Sequence, residues 1–423
     1  MNPAAFPHLL NRRSALRALA STALASQAAA TAWAQAASQA EWSQSYDGVA
    51  NLRVTRNTVP LLSEQTVHAT EQAIEKYRTL AATGYVQVPA GQYRVGSRGP
   101  GVTALRRRLA QDGDLTAEAA GESDVFDSFV EAGVRRFQQR HGLNPVGVAN
   151  NLTLHALNVP AETRLRQLEV NLVRLRTLAS GGQPQRYIAT NIPAAQIETV
   201  ENGVVQTHHQ AVVGKPDRQS PILTTRIPEI NFHPYWTTPA SIIRKDLIPK
   251  MRTEPNYLTE NRIRIFNGQG QEVPATAVNW NSPDDALKYR FRQDPGDFNS
   301  MGTVRINVPS PHGVYMHDTN SKGLFGDDAR FHSSGCIRVQ NVRDYVAWIL
   351  KNTPGMTREK VEELFRGGQR VDVKVADPVQ LYWVYITAWG APDGVTQFRE
   401  DIYNKDGLGK VPMAALQGVT AND

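Results

Sequence analysis

The sequence predicts an α+β protein of several domains, in which small helical units precede a β-rich C-terminal part. Two observations support this fold class. The 423 residues exceed the usual size of one domain, so two or three separate cores are expected. Apolar residues recur at helical spacing before about residue 180, and short β-rich runs between Gly, Pro and Asn turns follow it.

Residues 1–34 are predicted to be an export signal. They contain Arg12, Arg13 and Arg17, no acidic residue, and an alanine-rich stretch that ends in small residues. A basic start, an apolar middle and a small-residue end are typical of a removable signal peptide, and the stretch is too polar to span a membrane. The arginine pair resembles the twin-arginine export signal, and an ordinary secretory signal is the alternative. We therefore expect a periplasmic protein without a membrane span in its mature form.

The charge balance does not indicate a nucleic-acid partner. The full chain has a formal net charge of +6, and removal of the three signal arginines lowers it to +3. So small an excess does not create the basic field that nucleic-acid binding requires.

Three helical segments are predicted in the first half of the mature chain. The N-terminal segment, 35–93, holds a helix that Ser63 caps and Gly84 ends. The next segment, 94–160, is a compact unit with amphipathic helices. The third, 161–182, has leucines every three or four residues with charged residues opposite, so a bracing helix between domains is expected.

The compact unit resembles a known wall-binding domain. The run Gly101-Val102-x-x-Leu105, followed by Val134-x-x-Phe137-Gln138-x-x-x-Gly142-Leu143, is similar to the small three-helix peptidoglycan-binding domain. The Asp-Gly pair that usually follows is replaced by Pro145-Val146-Gly147. A binding role and a purely structural role are both open for this unit.

The β-rich part is predicted over residues 183–376, with a C-terminal extension at 377–423. A polar, proline-rich insert at 237–292 interrupts it. His208 and His209 would point to opposite faces of a strand, so no metal site is predicted there.

The single cysteine, Cys336, is a candidate nucleophile. A Ser-Gly-Cys turn lets a substrate carbonyl approach closely and leaves backbone N–H groups to face it. The run from Val342 to Leu350 looks helical, so the thiol is expected near a helix N-terminus with Arg338 close by, and both would lower its pKa. A buried structural cysteine is the alternative.

A thiol nucleophile needs a base, and three histidines are candidates: His312, His317 and His332. Residue type and spacing alone do not show which of the three histidines is the base.

The resemblance of a longer motif to a known family favours His317 as the base. Tyr315-x-His317-Asp318, followed by Arg330-x-x-Ser333-Ser334-Gly335-Cys336-x-Arg338-Val339, resembles the catalytic signature of the L,D-transpeptidases (YkuD-type domain), cysteine enzymes that crosslink peptidoglycan. The resemblance spans roughly residues 60–405 and extends to large periplasmic members that have a peptidoglycan-binding domain and an active-site lid. It implies that Cys336 is the nucleophile and His317 the general acid/base. Many members have a histidine where this chain has Ser334.

The resemblance also implies the remaining roles. The backbone of Ser334 and Gly335 would form the oxyanion site, with Tyr315 and Asp318 in support. Arg338, Trp236 and Ser333 would bind substrate, and the insert would be the lid. The partners implied are peptidoglycan stem peptides, joined in 3–3 crosslinks, and carbapenem-type inhibitors, with no metal or cofactor. An L,D-carboxypeptidase, an enzyme with another acyl acceptor, and a non-catalytic wall-binding scaffold are the alternatives.

Overall fold

The structure is a computed structural model and describes residues 58–408. The predicted export signal, residues 35–57 and the end of the C-terminal extension lie outside the described residues. Among the helices of 58–408, none combines the length and the apolar character of a membrane span.

Two long helices pack together on the β-rich part. Helix α1, Glu64–Thr83, begins after Ser63, whose Oγ accepts the N–H of Thr66 at 3.2 Å, and ends at Gly84 with φ 74°. This confirms the prediction for that segment. The leucine-rich helix expected over 162–179 is also present, at Ala161–Ala179, and its apolar face shares a core with α1 and the strands beneath.

The compact unit between them is helical, as predicted. Its helices are α2 Pro100–Asp112, α3 Ala117–Ala120, α4 Ser128–Arg140 and α5 Asn151–Leu157, and the leucine-rich helix that follows is α6. The predicted apolar positions Val102, Leu105 and Phe137 are completely buried in its core.

The β-rich part is built on one nine-stranded sheet. The strands in chain order are β1 Arg186–Asn191, β2 Gln196–Glu201, β3 Val204–Gly214, β4 Leu223–Phe232, β5 Trp236–Thr237, β6 Ile263–Phe266, β7 Glu272–Val273, β8 Arg290–Gln293, β9 Val304–Ile306, β10 Met316–His317, β11 Phe331–Ser333, β12 Ile337–Val339, β13 Val371–Val384, β14 Ala388–Gly390 and β15 Thr396–Phe398. The sheet order is β11-β3-β12-β10-β9-β4-β13-β1-β2, and β2 also pairs with β3, so the sheet curls back on itself.

The insert has a fold of its own. Strands β5 to β8 form a separate four-stranded sheet in the order β5-β8-β6-β7. Its helical elements are α7 Ala240–Ile242, a π-helical turn Ile243–Leu247, α8 Ile248–Thr253, α9 Tyr257–Glu260 and α10 Pro283–Ala286. Residues such as Leu247, Ile265 and Phe291 are buried in a core distinct from that of the main sheet.

Helices α11, Val342–Leu350, and α12, Arg358–Gly367, cover the main sheet and share its core. Strand β13 continues that core beyond residue 376, because Leu381 and Trp383 are completely buried and β13 pairs with both β4 and β1. Strand β13 therefore runs across the predicted boundary at 376/377, and the boundary itself stays a prediction. The pairing of β13 with β4 is irregular between Lys374 and Val379, and the strand continues beyond this irregularity.

Candidate active site

Parallel pairing of β10 with β12 places the predicted base and nucleophile on one face of the sheet. Met316 lies opposite Ile337, and His317 lies opposite Arg338. Met316 and Ile337 are completely buried in the core, so the alternating residues His317, Arg338 and Cys336 lie on the other face. His317 thus lies, across one strand pair, opposite the residue two positions after Cys336.

The loop before Cys336 has a shape that requires glycine. Gly335 has φ 112°, and a Cβ there would lie 3.3 Å from the carbonyl oxygen of Gln219. The Ser333 hydroxyl accepts the Gly335 N–H at 3.1 Å and donates to the Cys336 carbonyl at 2.5 Å, while Ser220 Oγ donates to the Gly335 carbonyl at 2.8 Å. Ser333 is only 3% exposed and its hydroxyl is used inside the loop. Ser333 thus shapes the loop, and its predicted role in substrate binding stays a prediction.

Tyr315 joins this loop to the insert. Its carbonyl accepts the N–H of Ile337 at 3.1 Å, so the residue lies directly beside Cys336. Its hydroxyl accepts the indole N–H of Trp236 at 3.2 Å, and Trp236 begins the small sheet of the insert. The two aromatic residues predicted to line the site are thus in contact with each other.

Burial raises the pKa of the Cys336 thiol above its usual value, although Tyr315, Arg305 and Arg338 oppose this effect. The predicted lowering of this pKa is wrong. Arg338 lowers the pKa as expected, but burial outweighs it, and strand β12 lies between Cys336 and α11 along the chain. The resting thiol is therefore protonated at neutral pH.

His317 is 7% exposed, and its pKa is lowered to about 3 by burial first, then by Arg338 and, more weakly, by Arg305. Its Nδ1 has no hydrogen-bond partner among the residues that the structure describes. The imidazole is thus neutral at physiological pH, and a neutral imidazole can accept a proton.

Asp318, expected in support of the imidazole, has its carboxylate engaged elsewhere. Oδ2 accepts the N–H and the hydroxyl of Thr303 at 3.0 and 2.8 Å, and Oδ1 pairs with Lys322. Among the described residues, the partners of the Asp318 carboxylate are therefore Thr303 and Lys322 and not the His317 imidazole.

The other two histidines are placed differently. His312 is exposed in the turn before β10. His332 lies with Nε2 3.2 Å from the carboxylate of Asp327.

An arginine that the sequence did not single out connects the insert to the nucleophile loop. Arg218 forms a two-point ion pair with Asp246 of the insert, at 2.6 and 2.9 Å, and also donates to the exposed Ser334 hydroxyl at 2.9 Å. Asp246 lies in the π-helical turn of the insert. We call this chain of contacts the Arg218 bridge. No local pattern indicates it, since the three residues are far apart in sequence.

Comparison with known proteins agrees with this geometry. Residues 185–373 match the family model of YkuD, the L,D-transpeptidase catalytic domain, and residues 98–157 match a putative peptidoglycan binding domain. Residues 185–373 are thus similar to the L,D-transpeptidase catalytic domain. The resemblance inferred from the motif is thereby confirmed.

Individual known proteins match parts of this chain. A putative L,D-transpeptidase of Haemophilus influenzae is 30% identical over 241 residues, which cover 57% of this chain and 48% of the relative, so the match spans about half of that protein. An L,D-transpeptidase structure from Mycobacterium smegmatis is 15% identical, covering 47% of this chain and 58% of that one, with a TM-score of 0.24. One from Stackebrandtia nassauensis is 11% identical, covering 69% and 94%, with a TM-score of 0.26. Scores this low support no conclusion about domain arrangement.

Proposed function

We propose that this protein forms 3–3 crosslinks in periplasmic peptidoglycan through a Cys336 acyl-enzyme. The observation that supports the proposal best is the β10–β12 pairing, which places a neutral imidazole and the segment that carries the thiol on one face of the sheet. The family and the peptidoglycan-binding match agree with a wall substrate.

In the proposed first step, Cys336 Sγ attacks the amide carbonyl between the third, diamino acid residue and the terminal D-alanine of a stem peptide. His317 accepts the thiol proton and passes it to the departing amine. The C–S bond forms as the C–N bond breaks, and D-alanine leaves. In the second step, the side-chain amine of a neighbouring stem attacks the thioester, which forms a new amide and returns the thiol.

The developing oxyanion needs donors, and the resting structure limits which are available. The Gly335 N–H is already bonded to Ser333 Oγ. The Tyr315 hydroxyl lies beside Cys336, and burial raises its pKa far above the usual value, so it keeps its proton. We therefore assign Tyr315 as an oxyanion donor, together with the loop backbone at Ser334, Gly335 and Cys336 if the Ser333 bond opens.

Incubation of the mature protein with disaccharide-tetrapeptide, followed by mass analysis, tests the proposal. A crosslinked dimer supports transpeptidation, whereas a tripeptide product would indicate an L,D-carboxypeptidase. Binding to sacculi without any product would indicate a scaffold. Cys336→Ala should abolish product, and His317→Gln should reduce it strongly while the matched His312→Gln does not. Full activity of Cys336→Ala would refute the mechanism.

Two further parts of the proposal concern location and inhibition. Twin-arginine export to the periplasm rests on residues 1–34, and replacing Arg12 and Arg13 by lysine should retain the precursor inside the cell. Carbapenem sensitivity rests on the family resemblance. Mass analysis should show one carbapenem bound to the wild-type chain and none to Cys336→Ala.

A further inference from the structure

A pocket opens beside the proposed nucleophile on the same sheet face. It has a volume of about 500 Å³, and its lining includes Tyr315, Arg305, Glu229 and Lys374. A second pocket of about 360 Å³ shares Arg305 and Glu229 with it, so the two form one groove along β4 and β9. Tyr315 connects this groove to the Cys336 loop, and the groove is otherwise unused by the proposed chemistry.

Arg305 lines both pockets of the groove. It lies directly opposite His317 in the β9–β10 register, and its guanidinium stacks 4.6 Å from the centre of the Tyr315 ring. Its Nε is buried without a hydrogen-bond partner, and its guanidinium forms no ion pair within residues 58–408. Arg338, which lies opposite His317 on the other side, also has a buried Nε without a partner there.

Comparable arginines in this chain have protein partners for the guanidinium, which are carboxylates for Arg106 and Arg140 and carbonyl or amide oxygens for Arg164 and Arg399. Arg106 binds the carboxylate of Asp127 at 2.9 Å, and Arg140 binds that of Asp114 at 2.6 Å. Because desolvation of an uncompensated charge is costly, a partly buried guanidinium normally has an anionic partner. Arg305 departs from this pattern in a position that faces the reaction site.

The acid nearest in the groove does not serve as that partner. Glu229 Oε1 accepts the side-chain amides of Asn231 at 2.8 Å and Asn307 at 2.9 Å. These two amides fix the Glu229 carboxylate within the groove wall. An incoming carboxylate would therefore meet a guanidinium that is stacked, oriented and not neutralised by the protein, which suits two-point recognition.

We infer that Arg305 binds a free carboxylate of the substrate in this groove. The inference rests on the proposed function and names a specificity determinant for it. A stem peptide carries such a carboxylate in two places near the scissile amide: on the terminal residue that leaves, and on the side chain of the diamino acid. The same guanidinium chemistry would accept either, and suitable substrates separate the two sources.

The test compares three synthetic tetrapeptide donors with one acceptor. The first has both carboxylates, the second has a C-terminal carboxamide, and the third has the diamino acid side chain amidated. Wild-type kcat/KM should fall about 10- to 100-fold for whichever amidated donor lacks the recognised carboxylate, the range expected for a charged hydrogen-bonded pair. Arg305→Gln should remove this discrimination, so that the full donor and the matching amide donor are processed with similar kcat/KM.

Two variants complete the design. Arg305→Lys should restore part of the discrimination, mainly through KM. Arg226→Gln removes an arginine elsewhere on β4, where it is exposed and bonded to Gln380, and should behave as wild type. Turnover of the matching amide donor by Arg305→Gln also shows that this variant is folded.

The outcomes separate the inference from the proposed function. If Arg305→Gln discriminates between the donors as wild type does, the carboxylate site is refuted although transpeptidation stands. If wild type itself does not discriminate, the inference is refuted as well. If wild type processes no donor, or Cys336→Ala remains active, the proposed function fails instead.

Discussion

The acid-base state of His317 is the property that most directly tests the proposed chemistry. A pKa lowered from the usual 6.5 to about 3 corresponds to about 5 kcal/mol against the imidazolium. Burial contributes most, and Arg338 is the largest single charge. Because a nearby unit charge shifts a pKa by about 1 to 3, Arg338→Gln should raise the His317 pKa by about 1 to 2. Arg305 and Asp318 still face the ring in that variant and act in opposite directions.

The assay is an NMR titration of ring-labelled histidine between pH 2.5 and 8, with His317→Gln used to assign the signal. His317 should remain neutral down to about pH 4 in wild type and should titrate at higher pH in Arg338→Gln, with Arg226→Gln as the control. A wild-type midpoint near 6.5, or an unchanged midpoint in Arg338→Gln, would refute the electrostatic argument.

The same pKa has a consequence for stability. The folded state binds the His317 proton less tightly than the unfolded state, whose histidines titrate near pH 6.5. Stability from this group is therefore fully present above about pH 6.5 and is lost as the pH falls towards 3. His209, buried with its pKa lowered to about 4, adds to the same trend.

Gly335→Ala should lower the acylation rate about 10-fold or more, because the alanine backbone would have to adopt a positive φ at a cost of about 1 to 3 kcal/mol. The rate of Cys336 adduct formation, measured by mass spectrometry, checks this prediction. Asp246→Asn should weaken its pair with Arg218 and lower kcat/KM a few fold with little change in melting temperature, and a loss of stability without loss of activity would contradict the coupling. Asp112→Asn should lower the free energy of unfolding by about 3 kcal/mol, because Asp112 is the buried partner of two arginines. The exposed pair of Glu122 is the control, and Glu122→Gln should cost less than about 1 kcal/mol in the same denaturant titration.

The insert shows which structural features local sequence patterns can and cannot predict. Its prolines and polar residues indicated a surface excursion or a lid, and the structure contains a four-stranded sheet with its own core. The spacing of Ile243, Leu247 and Met251 was a helical signal that could have indicated this core. The lid function stays a prediction, to which the contacts of Trp236 and Asp246 with the site lend support.

The sequence by itself determined the features that depend on near neighbours. Ser63 and Gly84 set the ends of the first helix, leucine spacing produced the bracing helix, and the motif around Cys336 identified the family. In each case the deciding interactions lie within a few residues or in a motif of fixed spacing.

Only the tertiary structure decided the protonation states of His317 and Cys336 and the lack of anionic partners for Arg305 and Arg338 among the described residues. The pKa of His317 depends on Arg305 from β9 and Arg338 from β12, which reach it only through the sheet register. The raised pKa of Cys336 likewise follows from its burial, which outweighs the effects of Tyr315, Arg305 and Arg338. Electrostatic energy depends on separation in space and on desolvation, and neither quantity can be obtained from separation along the chain.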